Sequence, residues 1–263
     1  MYFEVSNNEK NPIVCNVPHS GTVIPEEFKG DFTLNETELQ DEVLYMADNY
    51  TDILYGELLF ISSFIISKIS RVVLDIERLE NMEDEPMSKV GMSALYTRTS
   101  NGSLLRNISK ENKKMLGKVY KDYHAAFLGL VNGSLLRSNM AIVIDCHSFP
   151  STPRVYEPEQ EVNRPDICLG VDKYHTPQEL VTILKSSFEE VGYSVGINTP
   201  FAGSIVPLSL YKKDKRVISV MIEINRKLYM HEETFEKTSN FSEVSKAISR
   251  CVITSLNQFV KTI

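Results

Sequence analysis

Two histidines in this 263-residue chain each follow a short apolar run. His19 ends the segment VCNVPHSG (14–21), and His147 stands near the end of MAIVIDCHSFP (140–150). Apolar, β-branched runs bounded by proline and glycine predict strands that end in turns. Since reacting groups gather at strand ends in open α/β sheets, two imidazoles there indicate a shared metal ion.

Carboxylates accompany these histidines. Asp145 precedes His147 by two residues, so both side chains lie on one face of a strand. Glu223 is the one acidic residue in VISVMIEIN (217–225), the most apolar strand pattern of the chain, where an unpaired carboxylate is costly to bury. Two histidines, a nearby carboxylate and a separate glutamate are the parts of a catalytic zinc site, with Glu223 as the general base.

Other polar residues leave alternatives open. Asp48 and Asp52 stand four apart on a predicted helix, either as surface charge or with one of them facing the histidines. Cys146 adjoins His147, but strand alternation points it to the opposite face, which disfavours a nucleophilic role. Arginines would complete the site by stabilising an oxyanion and by holding a substrate carboxylate.

Strand and helix patterns alternate along the chain. This alternation predicts one α/β domain over 1–263 with a mixed, mostly parallel sheet. The segment 79–106 has no sustained period and is expected to be a long loop over a pocket. The predicted strands are 14–17, 71–78, 141–147, 166–170, 193–199 and 217–225. The predicted helices are 35–44, 46–67 with the apolar stretch 55–69, 109–136, 176–191 and 234–263.

Composition limits the partners. A net charge of −7 and short basic runs argue against nucleic acid, and no apolar stretch reaches the length of about 20 residues that a membrane span needs. The N-terminus lacks a secretory signal pattern and the four cysteines have no paired spacing, which predicts a cytoplasmic protein with reduced thiols. We expect a small-molecule substrate and a monomer or small homo-oligomer.

Five motifs, in order along 13–231, resemble the N-formylglutamate amidohydrolase family. They are PHSG (18–21), the helix segment from Asp48, R-x-x-x-D-x-x-R (71–78), D-x-HS (145–148) and IEINRxxYM (222–230). The resemblance implies a three-layer α/β/α sandwich similar to that of zinc carboxypeptidases and aspartoacylase. It also implies hydrolysis of an N-formyl or short N-acyl amino acid, N-formyl-L-glutamate first, with one zinc or another divalent ion.

The resemblance implies ligands and a base by position. His19 and His147 match the zinc histidines, and Glu223 matches the general base. Thr22 stands where carboxypeptidases carry a ligand glutamate, so a third ligand must come from elsewhere. Asp48 fits best, and the fallbacks are Glu26 and Asp52.

The same resemblance implies roles for arginines. Arg71 matches the residue that polarises the scissile carbonyl, and Arg78 matches the one that grips the substrate carboxylate. Arg154 is a further substrate-binding candidate, and Arg98 is the next candidate after it. Glu77 replaces the asparagine of the family motif, which puts glutamate specificity in question.

Two alternatives follow. One is a carboxypeptidase-like or other N-acyl amino acid hydrolase with the same metal chemistry and a different pocket. The other is a non-catalytic carboxylate-binding protein on the same fold.

Overall fold

The computed structural model describes residues 1–79, 85–157 and 159–262. Its strands are β1 (Phe3–Ser6), β2 (Ile13–Val17), β3 (Ser63–Ser67), β4 (Ala141–Phe149), β5 (Ile167–Gly170), β6 (Val195–Ile197) and β7 (Val217–Asn225). Its α-helices are α1 (Glu26–Lys29), α2 (Glu36–Met46), α3 (Thr51–Leu54), α4 (Gly56–Ile61), α5 (Lys110–Ser138), α6 (Gln178–Glu190) and α7 (Phe241–Val260). Short 3-10 helices cover Pro86–Val90 and Arg226–Leu228.

These seven strands form one mixed sheet in the order β1-β3-β2-β4-β7-β5-β6. Strands β3, β2, β4 and β7 are parallel neighbours, whereas β1 and β5 run antiparallel to β3 and β7. The carboxyl ends of the central strands β2, β4 and β7 therefore meet at one edge of the sheet. The predicted mixed, mostly parallel sheet is confirmed.

Helices cover both faces of the sheet. On one face, Leu58, Leu184 and Val252 bring α4, α6 and α7 into a single core with the strands. On the other face, Phe127 of α5 packs in a second core with Val143 of β4. The layers are those of an α/β/α sandwich, as expected. Among the described helices, none combines the length and the apolar character that crossing a bilayer requires.

Local sequence signals set the ends of the helices. Asn35 caps α2 in a capping box with Glu38, so two free backbone N–H groups gain acceptors. The side chain of Ser109 accepts from the backbone of Asn112 at the start of α5. Asn139 ends α5 in the left-handed conformation, at φ 53°, which asparagine tolerates.

The sheet face beneath α5 changes from apolar to polar along the strands. On β4, Ala141 and Val143 belong to the core with α5, and Asp145 and His147 continue that face. Register then pairs His147 with Glu223 on β7. The functional candidates therefore lie where the apolar core ends.

The predicted strand at 71–78 is wrong. These residues form consecutive turns, in which the backbone N–H groups of Val73 and Leu74 both donate to the Ser70 carbonyl. Val72 is buried in one core, and Val73 and Leu74 are buried in another. A turn can point successive apolar side chains into different cores, and that explains the apolar run.

The predicted helix at 55–69 is also wrong in its second half. Helix α4 ends at Ile61, and β3 begins at Ser63. Ile65 and Ile66 pair with residues of both β1 and β2. Pairing within the sheet overrides the helical spacing of the apolar residues.

The remaining predicted elements are confirmed with shifted ends, except that the last helix is shorter than expected. Residues 234–240 precede α7, and residue 263 lies outside the described residues. The predicted loop at 79–106 contains the 3-10 helix Pro86–Val90, and its residues 80–84 lie outside the described residues.

We expect Gly21→Ala to destabilise the protein, because the backbone passes too close for a side chain. A Cβ at Gly21 would lie 2.5 Å from the carbonyl carbon of Lys68 and 2.6 Å from the carbonyl oxygen of Ile69. Urea unfolding should show a loss of about 1–3 kcal/mol, typical of overpacking.

The control is Gly117→Ala on α5, where a Cβ meets no atom within 4 Å. That change should raise the free energy of unfolding by about 0.5–1 kcal/mol, the helix preference for alanine. Equal urea midpoints for Gly21→Ala and the wild type would contradict the close approach.

Candidate active site

His19 lies just beyond β2, with its ring orientation fixed by a carboxylate. Its Nε2 lies 2.9 Å from Oδ1 of Asp75, a fully buried side chain. Asp75 also accepts from Arg71 at 2.7 Å and from the hydroxyl of Tyr96 at 2.8 Å. Nδ1 of His19 is buried and has no hydrogen-bond partner, so it faces the site as a free ligand atom.

His147 is held in a similar way on β4. Its Nδ1 lies 3.1 Å from Oδ2 of Asp48, which also accepts from the backbone N–H of Ser148 at 3.2 Å. The other oxygen of Asp48 accepts from the buried guanidinium of Arg226 at 3.0 Å. Asp48 thus holds the Nδ1 side of the ring, as carboxylates commonly do for metal-binding histidines, while Nε2 lies 3.0 Å from Oδ1 of Asp145.

Glu77 lies between the two rings. Its Oε2 is 3.1 Å from Nε2 of His147 and 3.9 Å from Nδ1 of His19. Within the described residues, His19, Glu77 and His147 form the group of potential metal ligands whose ligand atoms all lie within 4.8 Å of one another. Two imidazoles and one carboxylate are the donor set of many catalytic zinc sites.

Protonation in the site reflects its excess of carboxylates. Burial and the nearby Arg71 guanidinium lower the pKa of His19 to about 4, so the ring is neutral, as a metal ligand must be. Burial opposes a charge on His147, but the carboxylates of Glu77 and Asp145 outweigh it and raise the pKa of His147 well above its usual value. Burial, reinforced by Asp145, raises the pKa of Glu77 to about 7.

The charges around the histidines do not balance without protons or a cation. Among the described residues, five carboxylates adjoin the pair and three guanidinium groups lie among them. The carboxylates are Asp48, Asp75, Glu77, Asp145 and Glu223, and the arginines are Arg71, Arg78 and Arg226. Carboxylates outnumber guanidinium groups here, and Glu85 adds another beside Arg78, so this donor set fits a divalent cation.

Glu223 stands apart from the ligand group on β7. It is buried, and its Oε2 has no hydrogen-bond partner. Burial raises its pKa to about 8. A carboxylate beside the histidines with a free oxygen and a pKa near neutrality has the properties of a general base.

A cavity of about 480 Å³ opens over these groups. Its charged wall includes Arg71 and Arg78. The Nε of Arg78 has no hydrogen-bond partner and lies 3.6 Å from Asp75, with Glu85 as its other ionic neighbour. The apolar wall consists of Met46, Pro86, Met87, Phe149, Pro150, Phe201, Ala202 and Met221.

The sequence-predicted ligands are only partly brought together. His19, His147 and Asp48 meet at the cavity, and Asp48 lies in the turn between α2 and α3 rather than on a helix. Glu26 is exposed and paired with Lys29.

The remaining candidates lie outside the cavity wall. Asp52 is on α3 and does not line the cavity. Arg154 stacks on the ring of Tyr45 at 3.6 Å, and Arg98 is exposed in an isolated β-bridge with Leu104. Neither arginine lines the cavity formed by the described residues.

Sequence reasoning missed the residues that orient the histidines. Asp75 and Arg226 stand within two of the motifs quoted above, yet neither had an assigned role. Each is a charged residue within an apolar segment of the kind that is buried. Such a context indicates that the charge is paired, but it does not identify the partner. The partner of Arg226 is Asp48, which is 178 positions away in the chain.

The fold and the site together define a protein of the α/β class with a candidate metal centre. Its two imidazoles, bridging carboxylate and separate buried glutamate stand at the carboxyl ends of parallel strands. The sequence model of N-formylglutamate amidohydrolases matches residues 11–230. The chain belongs to the N-formylglutamate amidohydrolase family and is an amidohydrolase, as its motifs predicted.

Two solved structures share the fold. An N-formylglutamate amidohydrolase from Ralstonia eutropha JMP134 is 21% identical, with a TM-score of 0.84 over 100% of this chain and 99% of that one. A gene product of Agrobacterium tumefaciens is 16% identical, with a TM-score of 0.68 over 98% of this chain and 96% of that one. A comparison with curated proteins gives no significant match.

We expect Asp48→Ala to destabilise the fold strongly, because it leaves the guanidinium of Arg226 buried without its carboxylate. Breaking a buried pair from one side costs about 3–5 kcal/mol, which urea unfolding in the presence of a chelator would measure.

Glu26→Ala is the control, since it breaks an exposed pair with Lys29 and should leave stability unchanged within error. The double change Asp48→Ala with Arg226→Ala should cost less than the sum of the single changes. Additive losses would show that the two groups do not stabilise each other.

Proposed function

We propose that the protein hydrolyses the amide bond of an N-formyl or short N-acyl amino acid with the help of a bound zinc ion. N-formyl-L-glutamate, giving formate and L-glutamate, is the first substrate to consider. Family membership supports the reaction class, and the convergence of His19, Glu77 and His147 supports the metal.

In this proposal His19, Glu77 and His147 hold the ion through Nδ1, Oε2 and Nε2. Asp48, the ligand expected from the sequence, has both oxygens engaged by Arg226, Ser148 and His147. We therefore assign it to orienting His147. A zinc ion bound there would polarise the scissile carbonyl, lower the pKa of a water and favour ionised carboxylates nearby.

Glu223 acts as the general base and then as the general acid. Its free Oε2 accepts a proton from the attacking water, whose oxygen forms the new bond to the acyl carbon. When the C–N bond breaks, Glu223 returns that proton to the departing amine nitrogen. The products are a carboxylic acid, which is formic acid for a formyl substrate, and the free amino acid.

Two arginines have roles in binding and stabilisation. Arg71 is held by Asp75 through Nε and Nη2, which leaves Nη1 for the oxygen of the substrate carbonyl. Arg78 lines the cavity and is assigned to a substrate carboxylate. Arg154 could assist only through a movement away from Tyr45, and Arg98 is assigned no role.

The apolar wall favours a second candidate within the same class. Met46, Met87, Phe149, Phe201 and Met221 would contact a substrate side chain, and they suit an apolar group better than a carboxylate. An N-acyl amino acid hydrolase with a preference for apolar side chains uses the same chemistry. A substrate panel distinguishes it from a glutamate-specific enzyme.

We expect the purified protein to contain close to one zinc ion per chain and to lose amide hydrolysis with a chelator. Elemental analysis measures the metal, and amine release from N-formyl and N-acetyl amino acids measures turnover. Readdition of zinc should restore activity. Full turnover in a metal-free preparation would overturn the metal-dependent proposal, and stoichiometric zinc without any turnover would favour a carboxylate-binding protein.

We expect Glu223→Gln to lower kcat by about 100- to 10,000-fold, the contribution of a general acid–base group. Zinc content should stay unchanged, because Glu223 is not in the proposed ligand group. Asp52→Asn is the matched control and should keep both zinc and turnover. Normal activity of Glu223→Gln would exclude this residue as the general base.

A further inference from the structure

Asn16 lies fully buried beneath the proposed metal site and contacts two of its carboxylates. Its Nδ2 donates to Oε1 of Glu77 at 2.8 Å and to Oδ1 of Asp145 at 2.9 Å. One amide group thus holds two neighbouring carboxyl groups of the site from beneath. No role in the chemistry above uses Asn16.

The orientation of this amide is set from helix α5. The hydroxyl of Tyr123 donates to Oδ1 of Asn16 at 2.7 Å, and Tyr123 is itself buried. Because the amide oxygen is engaged by that hydroxyl, the NH₂ group must point toward Glu77 and Asp145. Tyr123, Asn16 and Glu77 therefore form a directed chain of hydrogen bonds that ends at the site.

Glu77 depends on such a contact more than the histidines do. It lies in the turns of 71–78, not in a strand, and its side chain is 17% exposed at the cavity. Without a donor at Oε1, Glu77 would lose the hydrogen bond that anchors its carboxyl group from beneath the site. His147, in contrast, is fixed by β4 and by Asp48.

We propose that Asn16 is a positioning residue that holds Glu77 as the third metal ligand, with Tyr123 fixing the orientation of Asn16. The inference rests on the proposed function, because it concerns the same metal site. It makes residue 16 a determinant of metal affinity although Asn16 itself is not among the proposed ligands.

The test is the zinc affinity of the full-length protein, measured by competition with a chromophoric chelator at fixed pH. Asn16→Leu keeps the number and branching of the side-chain heavy atoms and removes both donors. We expect its zinc affinity to fall by about 10- to 100-fold, the usual effect of losing a partner that orients a ligand. Tyr123→Phe should lower affinity by about fivefold, the effect of one neutral hydrogen bond.

Ser134→Ala is the matched control on the same helix. Its buried hydroxyl donates to the carbonyls of Pro12 and Met140, at the opposite end of the strands. This variant loses a buried hydrogen bond and should keep wild-type zinc affinity.

A double-mutant cycle separates positioning from general damage. In a Glu77→Ala background, Asn16→Leu should change zinc affinity by less than about threefold, because the carboxyl group that Asn16 holds is already absent. A full-sized loss in that background would overturn the proposal, since Asn16 would then act through another group. Wild-type affinity of Asn16→Leu would overturn it as well.

Failure of this inference is distinguishable from failure of the proposed function. If the wild type binds zinc and hydrolyses its substrate while Asn16→Leu retains full affinity, only the role of Asn16 is wrong. If the wild type binds no zinc, both proposals fall. If Asn16→Leu does not fold by circular dichroism, Tyr123→Phe decides, and unchanged affinity of that variant overturns the proposal.

Discussion

The site depends on balancing negative charge that the fold buries at the carboxyl ends of β2, β4 and β7. Ionised carboxylates are costly in a protein interior unless they are paired and hydrogen-bonded. Asp75 meets this demand with Arg71, Tyr96 and His19, and Asp48 meets it with Arg226. Glu77 and Glu223 remain incompletely matched, and both have a raised pKa. In the proposed function, the same imbalance that destabilises these carboxylates favours binding of a cation and supplies the base.

The sheet and its connections create this environment together. Helix α5 covers the apolar halves of β4 and β7, and their polar halves face the cavity. The turns of 71–78 bring Arg71, Asp75, Glu77 and Arg78 to the same site. A straight strand would have placed Arg78 on the face opposite to Arg71, Asp75 and Glu77, because neighbouring residues in a strand point in opposite directions. The turn is thus a requirement of the site, and the buried Val73 and Leu74 anchor it in the core.

The sequence predicted candidate site residues best where a functional side chain interrupts a clear local pattern. His19, His147 and Glu223 each stand in an apolar strand pattern, and a polar residue there is informative by itself. The mixed α/β sheet with helices on both faces followed from alternating periods. The segments 55–69 and 71–78 were misread because short apolar runs suit a helix, a strand or a buried turn, and packing decides among them.

The sequence by itself determined the family, the fold class and the residue types available for the chemistry, because these are written in local patterns and ordered motifs. The tertiary structure decided which carboxylate lies between the histidines and which carboxylates orient the histidine rings. It placed Glu77 between His19 and His147, and Asp48 against the far nitrogen of His147. Such assignments depend on contacts of about 3 Å between residues that are far apart in the chain. Sequence spacing carries no information on that scale, since the packing of whole elements sets it.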